Sequence, residues 1–511
     1  MNWLKDAIVY EIYPQSFYDY NGDGIGDLKG IIEKLDYVKE CGFTAIWLNP
    51  INESTFFDGG YDVTDFYKVA KRYGTNEDYK NLCDKAHSMG MKVIFDLVAG
   101  HTSNQHPWFI ESCKCEENEY TNRYIWTGKT FESFDGIVGY AERDAGYKTN
   151  FYWCQPALNY GYAHPDQPWQ LPVTHKDCIA TKNELKKIID FWIDLGTDGF
   201  RVDMAASLIK GDVDGSYTRA FWKEIKEHIR SKNPDVLLIS EWGFPDRAIN
   251  SYFDLDFYLH FAQPAYTSLF RAEKGRNTSS EYLGNSYFSL EGKGSPKAYL
   301  KTIKKDLAKT TGKGYIGHIT GNHDMPRLAY RRTDDEIRCA FVFLFTMPGV
   351  PFVYYGDEIG MDFIEGLKSK EGSYVRTGSR TPMQWNSSKN AGFSVNDNTY
   401  LPVDNRENFV NVDDSLKNPD SLLSFVKELI ALRKNTKELS PDADFKVVKS
   451  KYPLCYKRTI DGSAVLIAIN PSSSERTIKI KESSNILLSK NIIRNKKTIT
   501  LGAASFAIII E

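Results

Sequence analysis

GFRVDMA, residues 199–205, is the run on which the reading of this chain turns: short, largely apolar, with Arg201 and Asp203 on one side near its end. Downstream, VLLISEWG (236–243) repeats the pattern and ends in Glu241. Upstream, a helical stretch from Leu185 to Leu195 separates it from KVIFDLVAGH (92–101), which carries Asp96 and ends in His101. Further out lie AIVYEIY (7–13), FTAIWLNP (43–50), a weaker run from Tyr252 to Phe261, YIGHITGNHD (315–324) and GVPFVYYGDE (349–358). Leu28, Ile31, Ile32, Leu35 and Val38 recur at helical spacing between the first two runs.

Eight near-continuous apolar runs separated by amphipathic stretches predict an α/β fold: a (β/α)8 TIM barrel, its parallel strands covered by helices. The periodicity breaks down between His101 and Lys182, where Tyr-, Asn-, Pro- and Cys-rich sequence predicts a small lobe inserted after the third strand. After the helical LLSFVKELIALRK (422–434), SAVLIAINPSSSERTIKIK (463–481) and TITLGAASFAIIIE (498–511) read as a C-terminal all-β domain. The expected boundaries are residues 1–103 and 181–436 for the barrel, 104–180 for the insert (domain B) and 437–511 for a C-terminal β-sandwich.

In the 511-residue chain, 64 basic against 67 acidic residues leave a net charge of -3, which offers no field for nucleic acid or an anionic membrane. No run of about 18 apolar residues and no leader pattern occurs. The eight cysteines lack paired zinc spacing and are expected to be mostly buried free thiols of a reducing, cytoplasmic compartment. No GxGxxG follows a strand and no Walker loop is present, so no organic cofactor is expected.

Active sites of such barrels sit at the C-terminal ends of the strands. Four strands end there in chemically capable groups: Asp96 with His101, Arg201 with Asp203, Glu241, and His323 with Asp324. Singly, each is an ordinary cap or ion pair; four together point to catalysis. Adjacent strands are about 4.8 Å apart, which lets Asp203 and Glu241 face each other at about 5 Å, the spacing of a retaining glycosidase. On this reading Arg201 keeps Asp203 ionised and Trp242 helps desolvate Glu241, favouring its acid form.

The segments AIVYEIYPQSF, DYNGDGIGDLKGI, GYDVTDFY, DLVAGH, QPALNY, DGFRVDMA, LLISEWG, GNHDMPR, GVPFVYYGDEIGM and RTPMQWNSSKNAGF occur in this order. Together they resemble the α-amylase superfamily, glycoside hydrolase family 13, and above all its oligo-1,6-glucosidase and α-glucosidase branch. The resemblance implies a retaining hydrolase of short α-glucosides, monomeric or dimeric, with Asp203 as nucleophile, Glu241 as acid/base and Asp324 as third carboxylate. It implies that Tyr61, Asp62, His101, Arg201, His323 and Arg380 bind the terminal sugar. Sucrose isomerases and trehalose-forming relatives share these motifs, so glucosyl transfer is the alternative; a barrel that only binds sugar is a remote one, given the three carboxylates.

Asp19, Asn21, Asp23, Ile25 and Asp27 place oxygens at alternate positions, as at the start of a calcium loop, but Gly30 stands at the twelfth position. By the resemblance this loop holds a structural Ca2+ or Mg2+. Three departures stand out: Gly100 where most relatives have Asn before the histidine, Met204 where 1,6-specific relatives carry Val, and QPALNY in place of QPDLN. They leave the linkage open, and a flexible Met204 suggests tolerance of several short α-glucosides.

Overall fold

The computed structural model describes residues 3–128, 136–138, 142–259, 262–275, 283–407 and 409–511. Eight parallel strands close into a barrel in chain order: β1 (Val9–Ile12), β2 (Ala45–Leu48), β3 (Lys92–Leu97), β4 (Gly199–Val202), β5 (Leu237–Ser240), β6 (Leu255–Phe257), β7 (Tyr315–Ile319) and β8 (Val350–Tyr354), with β1 pairing β8. Each strand is buried on both faces because helices such as Leu28–Glu40, Asn76–Ser88, Lys176–Asp194, Ser216–Lys232 and Asp334–Thr346 pack outside it. Side chains fill the interior, Trp47 lying flat on Phe257 with ring centroids 5.6 Å apart.

The strands are shorter than their apolar runs, and the missing residues form the site. The ladder hydrogen bonds run one step past the strand ends: the Asp203 N–H donates to Leu97 O (3.0 Å) and the Glu241 N–H to Val202 O (2.9 Å). Both carboxyls therefore leave from rigid backbone. The sixth predicted run shrinks to three strand residues, and its end at Phe261 lies outside the described residues.

Two features lie between barrel elements. An antiparallel hairpin, Asn52–Ser54 with Val63–Val69, follows β2. The insert after β3 is tied back to the barrel through the Leu158 N–H to Gly100 O (3.1 Å) and the Thr102 N–H to Pro156 O (3.3 Å). At the C-terminus, six strands, Asp444–Ser450, Leu454–Ile460, Ser463–Asn470, Arg476–Lys479, Asn485–Asn495 and Thr498–Ile510, hydrogen-bond into one antiparallel sheet. Alternation along the strands gives it two apolar faces. Tyr456, Ile467 and Phe506 join the barrel core, while Leu466, Ile499 and Ile509 enclose a second, smaller core.

Candidate active site

A pocket of about 590 Å³ opens at the C-terminal ends of the barrel strands, lined by Asp203, Glu241, Asp324, Tyr61, His101, His323 and Arg380, all expected from the sequence. Asp58, Phe151, Met204, Ala206, Ser207, Trp242 and Arg376 complete its wall.

Arg201 is buried at the centre. Its Nη1 donates to Asp96 Oδ1 (2.9 Å) and Asp203 Oδ1 (3.1 Å), and its Nη2 lies 2.9 Å from Glu241 Oε1. The register explains this: Asp96 is paired with Arg201 across β3 and β4, so both side chains leave on the same side. The expectation that Arg201 keeps Asp203 ionised is corrected here. The guanidinium is shared among three carboxyls, and the Asp203 carboxyl is pushed well above the usual range by burial and by the neighbouring Glu241, against the pull of Arg201. Glu241 is fixed from its other side by the Met204 N–H, which donates to Oε2 at 3.0 Å.

Below this pair lies a buried polar network. The Tyr61 hydroxyl is 3.1 Å from Asp96 Oδ2 and 3.0 Å from His323 Nε2, and the Tyr61 ring stacks on that imidazole. Burial holds His323 well below its ordinary range and brings His101 down to about 4, so both are neutral donors or acceptors at pH 7. His323 Nδ1 lies 3.0 Å from Glu11 Oε1, and burial pushes the Glu11 carboxyl well up.

The far end of the pocket is walled by charge. Arg376 and Arg380 both reach Asp324 Oδ1, Arg380 at 3.1 Å, and Arg380 Nε also donates to the His323 carbonyl at 2.9 Å. Arg376 lies 3.8 Å from Asp58, which accepts from Gln155 Nε2 at 2.8 Å. Arg376 was missed in the sequence; it lies in the short 3-10 helix Tyr374–Ser379 that Arg380 caps.

Asp62 is the second correction. Its side chain is fully buried and does not reach the pocket; it accepts from the Phe57 N–H (2.9 Å), the Asp58 N–H (3.0 Å) and the Thr55 hydroxyl. Tyr61 faces the barrel, while Asp62, at the bend just before the strand Val63–Val69, turns its carboxyl to the backbone of the preceding loop. Gly59 and Gly60, both at positive φ, turn the chain so that Asp58 takes the pocket position. The Asp-Gly-Gly-Tyr turn was the signal in the sequence.

The Asp58 carboxyl is pushed up to about 6, by burial against the pull of Arg380 and Arg376. Because its folded value exceeds the unfolded one, ionisation destabilises the fold as pH rises from about 4 to about 6. Asp58→Asn is therefore expected to match wild type in stability near pH 4 and to exceed it progressively up to about pH 6.5, by about 1–2 kcal/mol read as a rising Tm difference, while KM rises. A Tm difference that stays flat across this range would disprove it. Asp62→Ala is expected to lower Tm more than it changes KM.

The 19–27 loop has the donor chemistry of a hard-cation site, with Asp19 5 % and Asp27 3 % exposed. Its carboxylates accept from backbone amides: Asp19 from Gly22 and Gly24 (2.8 and 2.7 Å), Asp27 from Tyr20 (3.0 Å), Asn21 (3.2 Å) and Gly30 (2.7 Å), and Asp23 from Ile25 (2.9 Å). Among the described residues no three acidic, histidine or cysteine side chains converge as a metal cage. A bound cation would therefore also need the Asn21 amide and the Ile25 carbonyl as ligands.

The model of the alpha-amylase catalytic domain matches residues 11–442. The chain is 32 % identical to alpha-amylase 3 of Dictyoglomus thermophilum over 99 % of its own length and 93 % of that protein's. It is 30 % identical to oligo-1,6-glucosidase of Parageobacillus thermoglucosidasius, covering 94 % of this chain and 92 % of that one. Its fold is similar to that of the isomaltulose synthase of Klebsiella sp. LX3, with a TM-score of 0.82, 24 % identity, and coverage of 100 % and 99 % of the two chains. With its carboxyl pair on adjacent strand tips and a match over most of its length, the chain belongs to the α-amylase family of glycoside hydrolases.

Proposed function

We propose that this glycoside hydrolase is a retaining exo-α-glucosidase that removes the terminal glucose of short α-glucosides. The observation that carries the reading is the Asp203–Glu241 pair, spanned by Arg201, in a pocket walled at one end by Asp58, Asp324, Arg376 and Arg380. Such a wall receives the hydroxyls of a terminal sugar. Asp203 attacks C1 as carboxylate while Glu241 gives its proton to the leaving oxygen; Glu241, now ionised, then takes a proton from the water that releases glucose. Asp324, held by two arginines, is placed to bind ring hydroxyls as the ring flattens.

A product time course by NMR on maltose, isomaltose, sucrose, trehalose and maltotriose tests this reading. α-Glucose is expected first, since two displacements at C1 restore the configuration. Initial β-glucose would overturn retention. The apolar wall of Phe151, Met204 and Trp242 favours glucosyl transfer to a second sugar as the other reading, and a dominance of new disaccharides over glucose would establish it.

We also infer a structural Ca2+ or Mg2+ held by Asp19, Asn21, Asp23, the Ile25 carbonyl and Asp27, which would neutralise two buried carboxylates and take no part in the chemistry. Chelation is expected to lower Tm by about 3 °C, restored by Ca2+ or Mg2+, with kcat unchanged. A Tm indifferent to both treatments would rule the ion out. All eight cysteines are free, which supports a reducing, cytoplasmic setting. No helix among the described residues is long and apolar enough to cross a membrane.

A further inference from the structure

Gly100 and Met204, two of the departures noted in the sequence, meet at one side chain, Asn150 of the inserted lobe. A Cβ built on Gly100 would lie 2.6 Å from Asn150 Nδ2, so the glycine leaves the space that this amide fills. From there Asn150 Nδ2 donates to His101 Nδ1 (3.2 Å) and contacts Met204 Sδ (3.6 Å). Its Oδ1 accepts from Lys210 Nζ at 3.1 Å, and the same Nζ donates to the Ser207 carbonyl at 2.5 Å.

These contacts leave the amide one orientation. Lys210 has only donors to offer while protonated, so the amide oxygen must face it and the NH2 must face His101 and Met204. His101 Nδ1 is then an acceptor, and the ring proton resides on Nε2, which donates to the Tyr61 carbonyl at 2.9 Å. The Tyr61 carbonyl, which can only accept, sets that tautomer, and Asn150 donates to the remaining acceptor nitrogen and so holds the tilt of a histidine at the terminal-sugar end of the pocket. Through the thioether it also fixes Met204, whose φ is 45° and whose N–H holds Glu241. The turn that carries Asn150 is itself braced: the Asn150 N–H donates to Gln155 O at 3.0 Å, and Gln155 Nε2 holds Asp58.

We propose that Asn150, oriented by Lys210 and admitted by Gly100, is a positioning residue that sets the linkage selectivity of the pocket by fixing His101 and Met204 together. It acts through those two residues and not on the sugar. A lobe residue thus substitutes for a side chain that the barrel strand lacks, and selectivity is tied to the seating of the lobe. This rests on the α-glucosidase reading for its substrates but not for its contacts.

The test combines two readouts on wild type, Asn150→Ala, Gly100→Ala, Lys210→Met and the swap Gly100→Asn/Asn150→Gly. In the free enzyme labelled with 15N-histidine, the His101 Nδ1 resonance is expected to shift in the first three variants and to return toward wild type in the swap. The ratio of kcat/KM on maltose to that on isomaltose is expected to change at least about fivefold in the same three variants. A merely structural role would lower Tm and both rates together without moving the ratio. An unmoved resonance in both Asn150→Ala and Gly100→Ala, or an unmoved ratio in folded variants, overturns the proposal. If wild type cleaves neither sugar, the α-glucosidase reading falls and the resonance alone decides whether Asn150 positions His101.

Discussion

Asp203→Asn is expected to lower kcat on every α-glucoside by about 10⁴-fold or more, because the amide cannot form the covalent bond to C1. It is also expected to raise Tm at pH 7. The Asp203 carboxyl sits above its ordinary range because burial and Glu241 oppose its charge, so an isosteric neutral group relieves a cost that the folded enzyme carries for function. Residual kcat within tenfold of wild type would remove Asp203 from the role of nucleophile. A Tm below wild type would show instead that the bond from Arg201 outweighs the repulsion.

Glu241→Gln is expected to separate substrates by leaving group. A sugar leaving group needs the proton, and its turnover should fall about 10³-fold; an aryl glucoside whose phenol leaves without protonation should form the glucosyl-enzyme at nearly the wild-type rate. The second step then accumulates, because water has lost its base, and a pre-steady-state burst of phenol is the signature. Added azide, which needs no base, should restore turnover and give an α-glucosyl azide. Equal losses on both substrates with no burst would show that Glu241 acts only through the shape of the site. The Met204 N–H and Arg201 Nη2 hold different oxygens of Glu241, so the single amide oxygen of the variant keeps only one of these donors, and Tm is measured beside kcat to show that the pocket is intact.

The barrel was legible because its two periods are properties of the chain alone. Apolar runs such as KVIFDLV must be buried on both faces, and eight of them alternating with amphipathic helices have few ways to close. The three carboxylates were legible for a related reason: a charged group at the end of a buried run has to emerge at the barrel mouth. The hairpin Asn52–Ser54 with Val63–Val69 carried no such pattern, and the resemblance alone pointed to Asp62, where the structure puts Asp58 in the pocket. The two lie four residues apart, and only the Gly59-Gly60 turn decides which one faces the sugar. Phe151 and Asn150 were invisible for another reason, since the insert has no period and Asn150 meets His101 and Met204 across 49 and 54 positions of sequence.

By itself, then, the sequence determined the α/β barrel, the inserted lobe, the C-terminal strands and which strand ends carry Asp203, Glu241 and Asp324, all of them consequences of burial and local periodicity. Tertiary structure alone decided how charge is divided among those groups. Arg201 is two residues from Asp203 in the chain, yet its guanidinium is committed equally to Asp96 and Glu241. Burial and the neighbouring Glu241 move the Asp203 carboxyl upward against the pull of that shared guanidinium, because a buried charge responds to every neighbour within a few ångströms and sequence distance does not enter Coulomb's law.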